Sequence, residues 1–434
     1  MANKKLAKKI TRLTLFVSSP SSIMSHFLLW QVIVISIYLG SRKREEIEPV
    51  FSNGLYLGTI ALSTLALTIH LFLIRNSKKL DKIDLIYLTI FSLPTLILYF
   101  AMFVNRDFSS MQSLTLIFIL IAPVVIWRSD IALKDNFTIL VTITIFSVLN
   151  LIFSLLQIAN LIPVAQLNSR EVLTGVADRP TGLLFNAFAM SYAALICIAI
   201  GLSLINRANK NRKLGVAIVL TSIVSLFLSG TRTSLWLGLL IVVSYFIFIN
   251  KSVATTLKNL IPTFLVTFGA GAPFILLYLG MRTGNTEWST INGRTFMWNC
   301  VTGKLDDFIP FGLGLEDAFP PQFCVDSGWF SNLRHPENMF LLSLVESGPL
   351  GFLSYILLFA FAIWQSVLGF KQKNLTPIYI TTAFLLSCLI YVSLFHYLPF
   401  LADRSADRGI FNFHIFYLIW VWYMKLNKEK LLKK

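Results

Sequence analysis

Four short stretches of this chain combine residue types that can hold an anion and move a proton. In 178–186, DRPTGLLFN, a Pro-Gly turn sets Arg179 just ahead of an apolar run. In 229–240, SGTRTSLWLGLL, Arg232 stands among Ser and Thr hydroxyls between two apolar runs, and an arginine so close to hydrocarbon is costly unless it pairs or lines a wet cavity. In 292–320, Arg294, Trp298 and Leu305 fall on a predicted short amphipathic helix that leads into the glycine-rich turn PFGLG. In 334–350, RHPENMFLLSLVESGPL, the residues Arg334, His335, Glu337 and Asn338 crowd the mouth of an apolar run, with Pro336 suited to a helix start and Glu346 inside the run. A guanidinium fork grips phosphate or carboxylate bidentately, and a histidine or carboxylate near neutral pH can take a proton from a hydroxyl.

The elements that must position these groups are membrane helices. The 434 residues are 56% hydrophobic and 13% charged, with a mean hydropathy of +0.72, well above a soluble domain of this length. Twelve near-uncharged apolar runs are long enough to cross ~30 Å of hydrocarbon: 22–40, 53–74, 84–104, 110–127, 137–162, 183–205, 214–229, 233–249, 260–280, 338–369, 377–400 and 410–425. They are too long and too continuously apolar for barrel strands, so the predicted fold is an all-α membrane protein. The first run has no small-residue cleavage site and is read as a span, not a removable signal.

Charge orients the bundle. With the N-terminus inside, the inner loops and tails hold 24 Lys and Arg against 5 acids (+19), and the outer loops hold 13 against 16 (−3). The net charge of +16 is therefore a topology signal, not a nucleic-acid footprint. Eleven of the 13 outer bases are arginine, whereas 19 of the 24 inner ones are lysine. The outer face is thus supplied with forked, permanently charged donors, although snorkelling from span ends accounts for some, Arg42, Arg44 and Arg106 among them.

The chain divides at its longest outer loop, giving nine predicted spans over 1–280, a large outer loop over 281–337 and three spans over 338–434. That loop is too rich in Gly, Pro, Trp and Phe for a disordered linker. It also holds Cys300 and Cys324, which can pair in an oxidising compartment or stay as two free thiols. His335 is the only histidine in an outer loop; His26, His70, His396 and His414 fall within or near apolar runs and suit structural roles.

Taken in order, the four stretches resemble the integral membrane O-antigen ligase and polymerase family of bacteria. The residues that carry the likeness are Arg179-Pro180-Thr181-Gly182, Thr231-Arg232 with Trp236-Leu237-Gly238, Gly293-Arg294 with Trp298 and Pro310-Phe311-Gly312-Leu313-Gly314, and His335 to Asn338 with Glu346-Ser347-Gly348 and Gly351. The likeness runs from about 175 to 355. It implies a GT-C-like glycosyl transfer that needs no metal or other cofactor, on the periplasmic face of the inner membrane. The donor is an oligosaccharide on undecaprenyl diphosphate, and the acceptor is a lipid-linked repeat or the core sugar of lipid A. By position it makes Arg232, Arg294 and Arg179 diphosphate-binding candidates and His335 the candidate base, with Asn338, Arg334 and Glu346 in support. The residue before Asn338 is commonly His in similar ligases but is Glu337 here, so Glu337 and His335 both stand as candidate bases. A repeat-unit polymerase is the leading expectation and a ligase the alternative. A lipid-linked sugar transporter would require charged residues deep in several spans and internal repetition, neither of which the sequence displays.

Overall fold

The computed structural model describes residues 80–106, 110–128, 133–162, 180–183, 187–205, 211–230, 232–249, 299–314, 339–371, 419–426 and 428, with isolated positions 65, 68 and 69. Among the described residues there are helices and no strands. The long helices are α1 (Lys82–Asn105), α2 (Ser110–Arg128), α3 (Leu133–Ile158), α4 (Ala187–Ile205), α5 (Arg212–Leu228), α6 (Arg232–Ile249) and α7 (Met339–Lys371). Leu305–Phe308 forms a 3-10 turn, and residues 419–426 are helical. Three helical stretches, Lys82–Asn105, Phe137–Ile158 and Phe340–Leu368, are long and apolar enough to cross a membrane. The described residues are those of a helical membrane protein.

Each helix begins and ends for local reasons. Asp81 caps α1: its side chain accepts from the Asp84 N–H while the Asp84 side chain accepts from the Asp81 N–H, which satisfies two amides that a helix start leaves open. At the far end Arg106 turns left-handed (φ 56°) and its N–H bonds back to Met102 and Phe103, stopping the helix. The connections 106–109 and 129–132 are short, so α1, α2 and α3 alternate in direction and α1 and α3 finish at the same end.

Two segments form the centre. Residues 192–200 of α4 are buried on every face, as are 419–424. Both are apolar all round, which marks helices surrounded by other helices. Because lipid tails are as apolar as leucine, packing rests on close contact instead of on a hydrophobic drive. Gly201 of α4 and Gly215 of α5 supply it: a Cβ on either would come within 2.8 Å of the other's carbonyl. On the opposite flank, Tyr87 and Phe91 of α1 meet Phe361 of α7 edge-on at 4.9 and 5.6 Å, and Phe91 meets Trp420 at 5.2 Å. One apolar cluster joins both flanks, while Leu96, Phe100, Leu353 and Ile356 keep apolar surface facing outward.

The end where α1 begins is held by charge. Lys428 bonds both Asp81 oxygens at 2.9 Å and also Asp84, which in turn accepts from the Trp127 indole. Lys425 donates to the Ile126 carbonyl at 2.9 Å. Thus the start of α1, the end of α2 and the C-terminal helix meet, an arrangement the alternating layout requires if all three lie on one side.

Two sequence readings need correction here. The segment around Arg294 and Leu305 is not one amphipathic helix: residues 299–302 are helical, the chain turns at Gly303 and Lys304, and Leu305 belongs to the separate 3-10 turn. The run 338–369 is not one straight span either. Gly348 leaves helical geometry (φ 67°, ψ −166°) immediately before Pro349, so α7 is two helices meeting at a kink.

Candidate functional site

At the end where α1 and α3 finish, α3 turns a polar face inward. Asn150, Ser154 and Gln157 recur at helical spacing and all are buried. Gln157 Oε1 accepts from the Thr181 N–H at 2.9 Å and the Gly182 N–H at 2.8 Å, and its Nε2 donates to the Gly182 carbonyl and the Thr181 hydroxyl at 3.3 Å. Asn150 Oδ1 accepts from the Leu183 N–H at 2.9 Å. Gly182 sits at φ +59°, and a Cβ there would strike the Asn150 amide, so only glycine fits the turn. Four consecutive residues, 180 to 183, are buried as a result. Span six is described as helix over Ala187–Ile205, within the predicted run 183–205.

The first turn of α4 connects this clamp to a second segment. Ser154 donates to Met190 Sδ at 3.4 Å, and the next residue, Ser191, shares a 2.9 Å hydroxyl bond with Ser234 of α6. Ser234 is two residues beyond Arg232, which opens α6 two residues after the left-handed Gly230 (φ 62°). The turn that follows Arg179 and the helix that starts with Arg232 are therefore tied to one short piece of α4.

A third joint forms where PFGLG meets the α7 kink. Pro349 has no N–H to offer the Val345 carbonyl four residues back, and an unmet carbonyl inside a membrane bundle is expensive. The Leu313 N–H supplies that bond at 2.8 Å, and the Gly314 N–H bonds the next carbonyl, Glu346, at 3.1 Å. Backbone meets backbone so closely that a Cβ on Gly312 would lie 2.5 Å from the Glu346 carbonyl carbon, and one on Gly348 would strike Pro310. Val301, Phe308 and Val345 fill the space beneath. Asn105, at the end of α1, donates to the Gly312 carbonyl at 3.3 Å and to Ala101 at 2.9 Å, while Phe100 stacks edge-on with Phe311 at 5.1 Å.

Of the sequence-predicted residues, Glu346 is seen in full: it is 2% exposed, two residues before the kink. Arg232 is placed by its backbone at the start of α6. Arg179, Arg294, Arg334, His335, Glu337 and Asn338 lie outside the described residues. Sequence reasoning did not single out Gln157, Asn150, Ser191, Ser234 or Asn105. The signal for the first two was available: an amide pair at i and i+7 inside an otherwise apolar span is costly unless both find partners.

Cys300 is disulfide-bonded and Cys197 is a free, buried thiol. A disulfide at Cys300 suits an oxidising compartment. Residues 216–356 match the model of the O-antigen ligase family. Over this segment, about a third of its length, the chain is similar to the O-antigen ligase family. The matched segment runs from α5 through the first part of α7 and contains Arg232, Arg294, His335, Glu337 and the PFGLG joint; the turn at 180–183 and Gln157 lie before it. No curated protein matches the chain.

Proposed function

We propose that this protein is a glycosyltransferase of the bacterial inner membrane, with both termini cytoplasmic and its site on the periplasmic face, that polymerises repeat units of an O-antigen or capsular polysaccharide. The observation that carries this reading is the shared platform on α4: Ser191 is bonded to Ser234 beside Arg232, and Met190 to Ser154 beside the clamp on the Arg179 turn. The turn at 180–183 and the helix that opens at Arg232 are thereby joined through one piece of α4, which supports this reading.

In the proposed reaction the acceptor hydroxyl oxygen bonds to C1 of the donor sugar as the bond from C1 to the diphosphate oxygen breaks. The hydroxyl proton passes to His335 or Glu337, and undecaprenyl diphosphate leaves with the electron pair. Arg232 and Arg294, with Arg179 as a third, stabilise the charge that develops on the leaving diphosphate, where fixed guanidinium groups near a low-dielectric surface are most effective. Asn338 and Arg334 orient the acceptor, and buried Glu346 braces the helix that follows them. Guanidinium groups in this role take the place a metal would otherwise fill, so product formation is expected to persist in EDTA; loss that a divalent ion restores would reject this mechanism.

The second reading is a ligase that passes finished polymer to lipid A core, and the matched family model is itself described as O-antigen ligase. Surface polysaccharide gels of a clean deletion separate the two. One repeat on core marks a lost polymerase, whereas bare core with polymer held on the lipid carrier marks a lost ligase. Complementation with His335→Ala and Glu337→Ala identifies the base as the variant that fails.

A further inference from the structure

The geometry points to a contact between this chain and the bilayer beyond its spans: the short turn that leads into PFGLG rests two outward side chains, Leu305 and Ile309, in lipid at the end where α1 finishes. The partner is the acyl-chain and glycerol region of ordinary membrane lipid, and the contact depends only on α1 spanning the membrane.

Height is set by α1. Its 24 residues rise ~36 Å at ~1.5 Å each, slightly more than ~30 Å of hydrocarbon, so a helix centred in the bilayer ends about 3 Å outside it. Phe100 lies roughly 7.5 Å down the axis from that end. It is therefore inside the hydrocarbon, where Leu96 and Phe103 are exposed with it. Phe311 meets Phe100 edge-on at 5.1 Å, and Asn105 holds the Gly312 carbonyl at 3.3 Å. The glycine-rich turn is thus fixed at the hydrocarbon boundary, against the flank of α1 that faces lipid.

Residues 299–314 hold together as one unit on α7. Val301 and Phe308 pack with Val345, the Gly312 N–H returns to the Phe308 carbonyl at 2.9 Å, and Leu313 and Gly314 bond the kink. Within the unit Phe308 is buried, whereas Leu305 is 43% and Ile309 60% exposed, with Pro310 exposed beside them. A lone exposed leucine needs no explanation, but two such residues on a turn that touches a lipid-facing flank extend one apolar surface. Continuity identifies what covers it: Leu96, Phe100, Phe103 and Val104 face outward from a span, and the medium around them is lipid. Apolar side chains at that level lose their water by entering the interface.

Charge does not draw the turn down. Lys304, Asp306 and Asp307 are all exposed, one cation against two anions, so the turn offers no basic patch to anionic headgroups. The landing is apolar.

The test uses the full chain in nanodiscs of neutral phosphatidylcholine, with a nitroxide placed singly at Leu305→Cys, Ile309→Cys, Phe103→Cys or Lys304→Cys and the signal of the unsubstituted chain subtracted. All four positions are exposed, so the label displaces no packed atom. Collisions with oxygen, which concentrates in hydrocarbon, are compared with those of a water-soluble nickel chelate. Oxygen is expected to dominate at 305 and 309, as at 103, with the ratio reversed at 304. Dominance of the chelate at 305 and 309 would place the turn in water and overturn the proposal. Few collisions with either reagent would mean a protein cover, a second copy of this chain, and would also overturn it. The oxygen excess should survive high salt, because apolar contact is not screened; loss in salt would replace the apolar landing by headgroup attraction. Added undecaprenyl diphosphate should change nothing, whereas protection by that lipid alone would give the patch to a substrate tail and reject bulk lipid as its partner.

Discussion

Where α1 begins, Lys428 reaches two aspartates and a tryptophan indole adds a further bond; where α1 finishes, the corresponding joints are made by amides, hydroxyls and bare backbone. Both ends face the same difficulty, which is to fasten helices where polar groups leave the membrane core. The first end uses opposite charges that consume one another. The second uses neutral groups on Gln157, Asn150 and Ser191, and glycine turns at Gly182, Gly312 and Gly348 that bring backbones together. An end fastened by neutral bonds can keep arginine charge for a ligand, whereas an end fastened by ion pairs has spent its charge on architecture.

The largest effect expected from this contrast lies at the arginines. Arg232→Ala or Arg294→Ala should cut product by at least ~100-fold with protein still inserted in the membrane, and Arg→Lys should lose most activity because a point charge cannot supply the fork. Wild-type-like polymer from cells carrying either alanine variant would remove that residue from the proposed diphosphate site.

Next in size is the kink. Gly348→Ala places a Cβ against Pro310 at a left-handed backbone position, so the PFGLG turn should detach from α7 and folded yield in detergent should fall sharply. Normal yield and melting would mean that the joint can give way without cost.

At the other end, Lys428→Met leaves buried Asp84 without its cation and should destabilise the protein by about 3–5 kcal/mol, the usual cost of breaking a buried pair from one side. Activity per folded molecule should be unchanged, since the proposed site lies at the other end. A drop in specific activity at equal folded content would show that the two ends are coupled.

The smallest effect is in pH. The hydrogen bond from Lys428 holds the Asp81 carboxyl below the usual carboxylate range, although burial pulls the other way. A lowered folded value means that the stabilisation is fully present above about pH 4, the unfolded value, and is lost as pH falls through the folded one. Melting should therefore soften between pH 4 and lower values, and Asp81→Asn should flatten that slope while keeping a capable N-cap.

Much of the frame was legible before any coordinates. The predicted runs 84–104, 110–127, 214–229 and 233–249 agree with helices α1, α2, α5 and α6 to within two residues, because an uncharged apolar run in lipid has no option but helix. The motif order 293–294, 310–314 and 346–351 pointed at the family segment that the O-antigen ligase match covers. What periodicity could not show was the break at Gly348. A glycine followed by proline is tolerated or kinked according to whether another group bonds the abandoned carbonyl, and that donor, the Leu313 N–H, is more than thirty residues upstream. Gln157 was missed for a similar reason: its partners stand across a loop, beyond the reach of any local window.

Sequence alone therefore determined the solvent, the helices and the bias of arginine over lysine, because hydropathy and side-chain charge are properties of residues taken one at a time. Only the tertiary structure decided which of the described polar residues fasten the helices to one another. That distinction depends on whether a buried donor or acceptor finds its partner, and for Gln157, Val345 and Lys428 every such partner comes from a distant part of the chain.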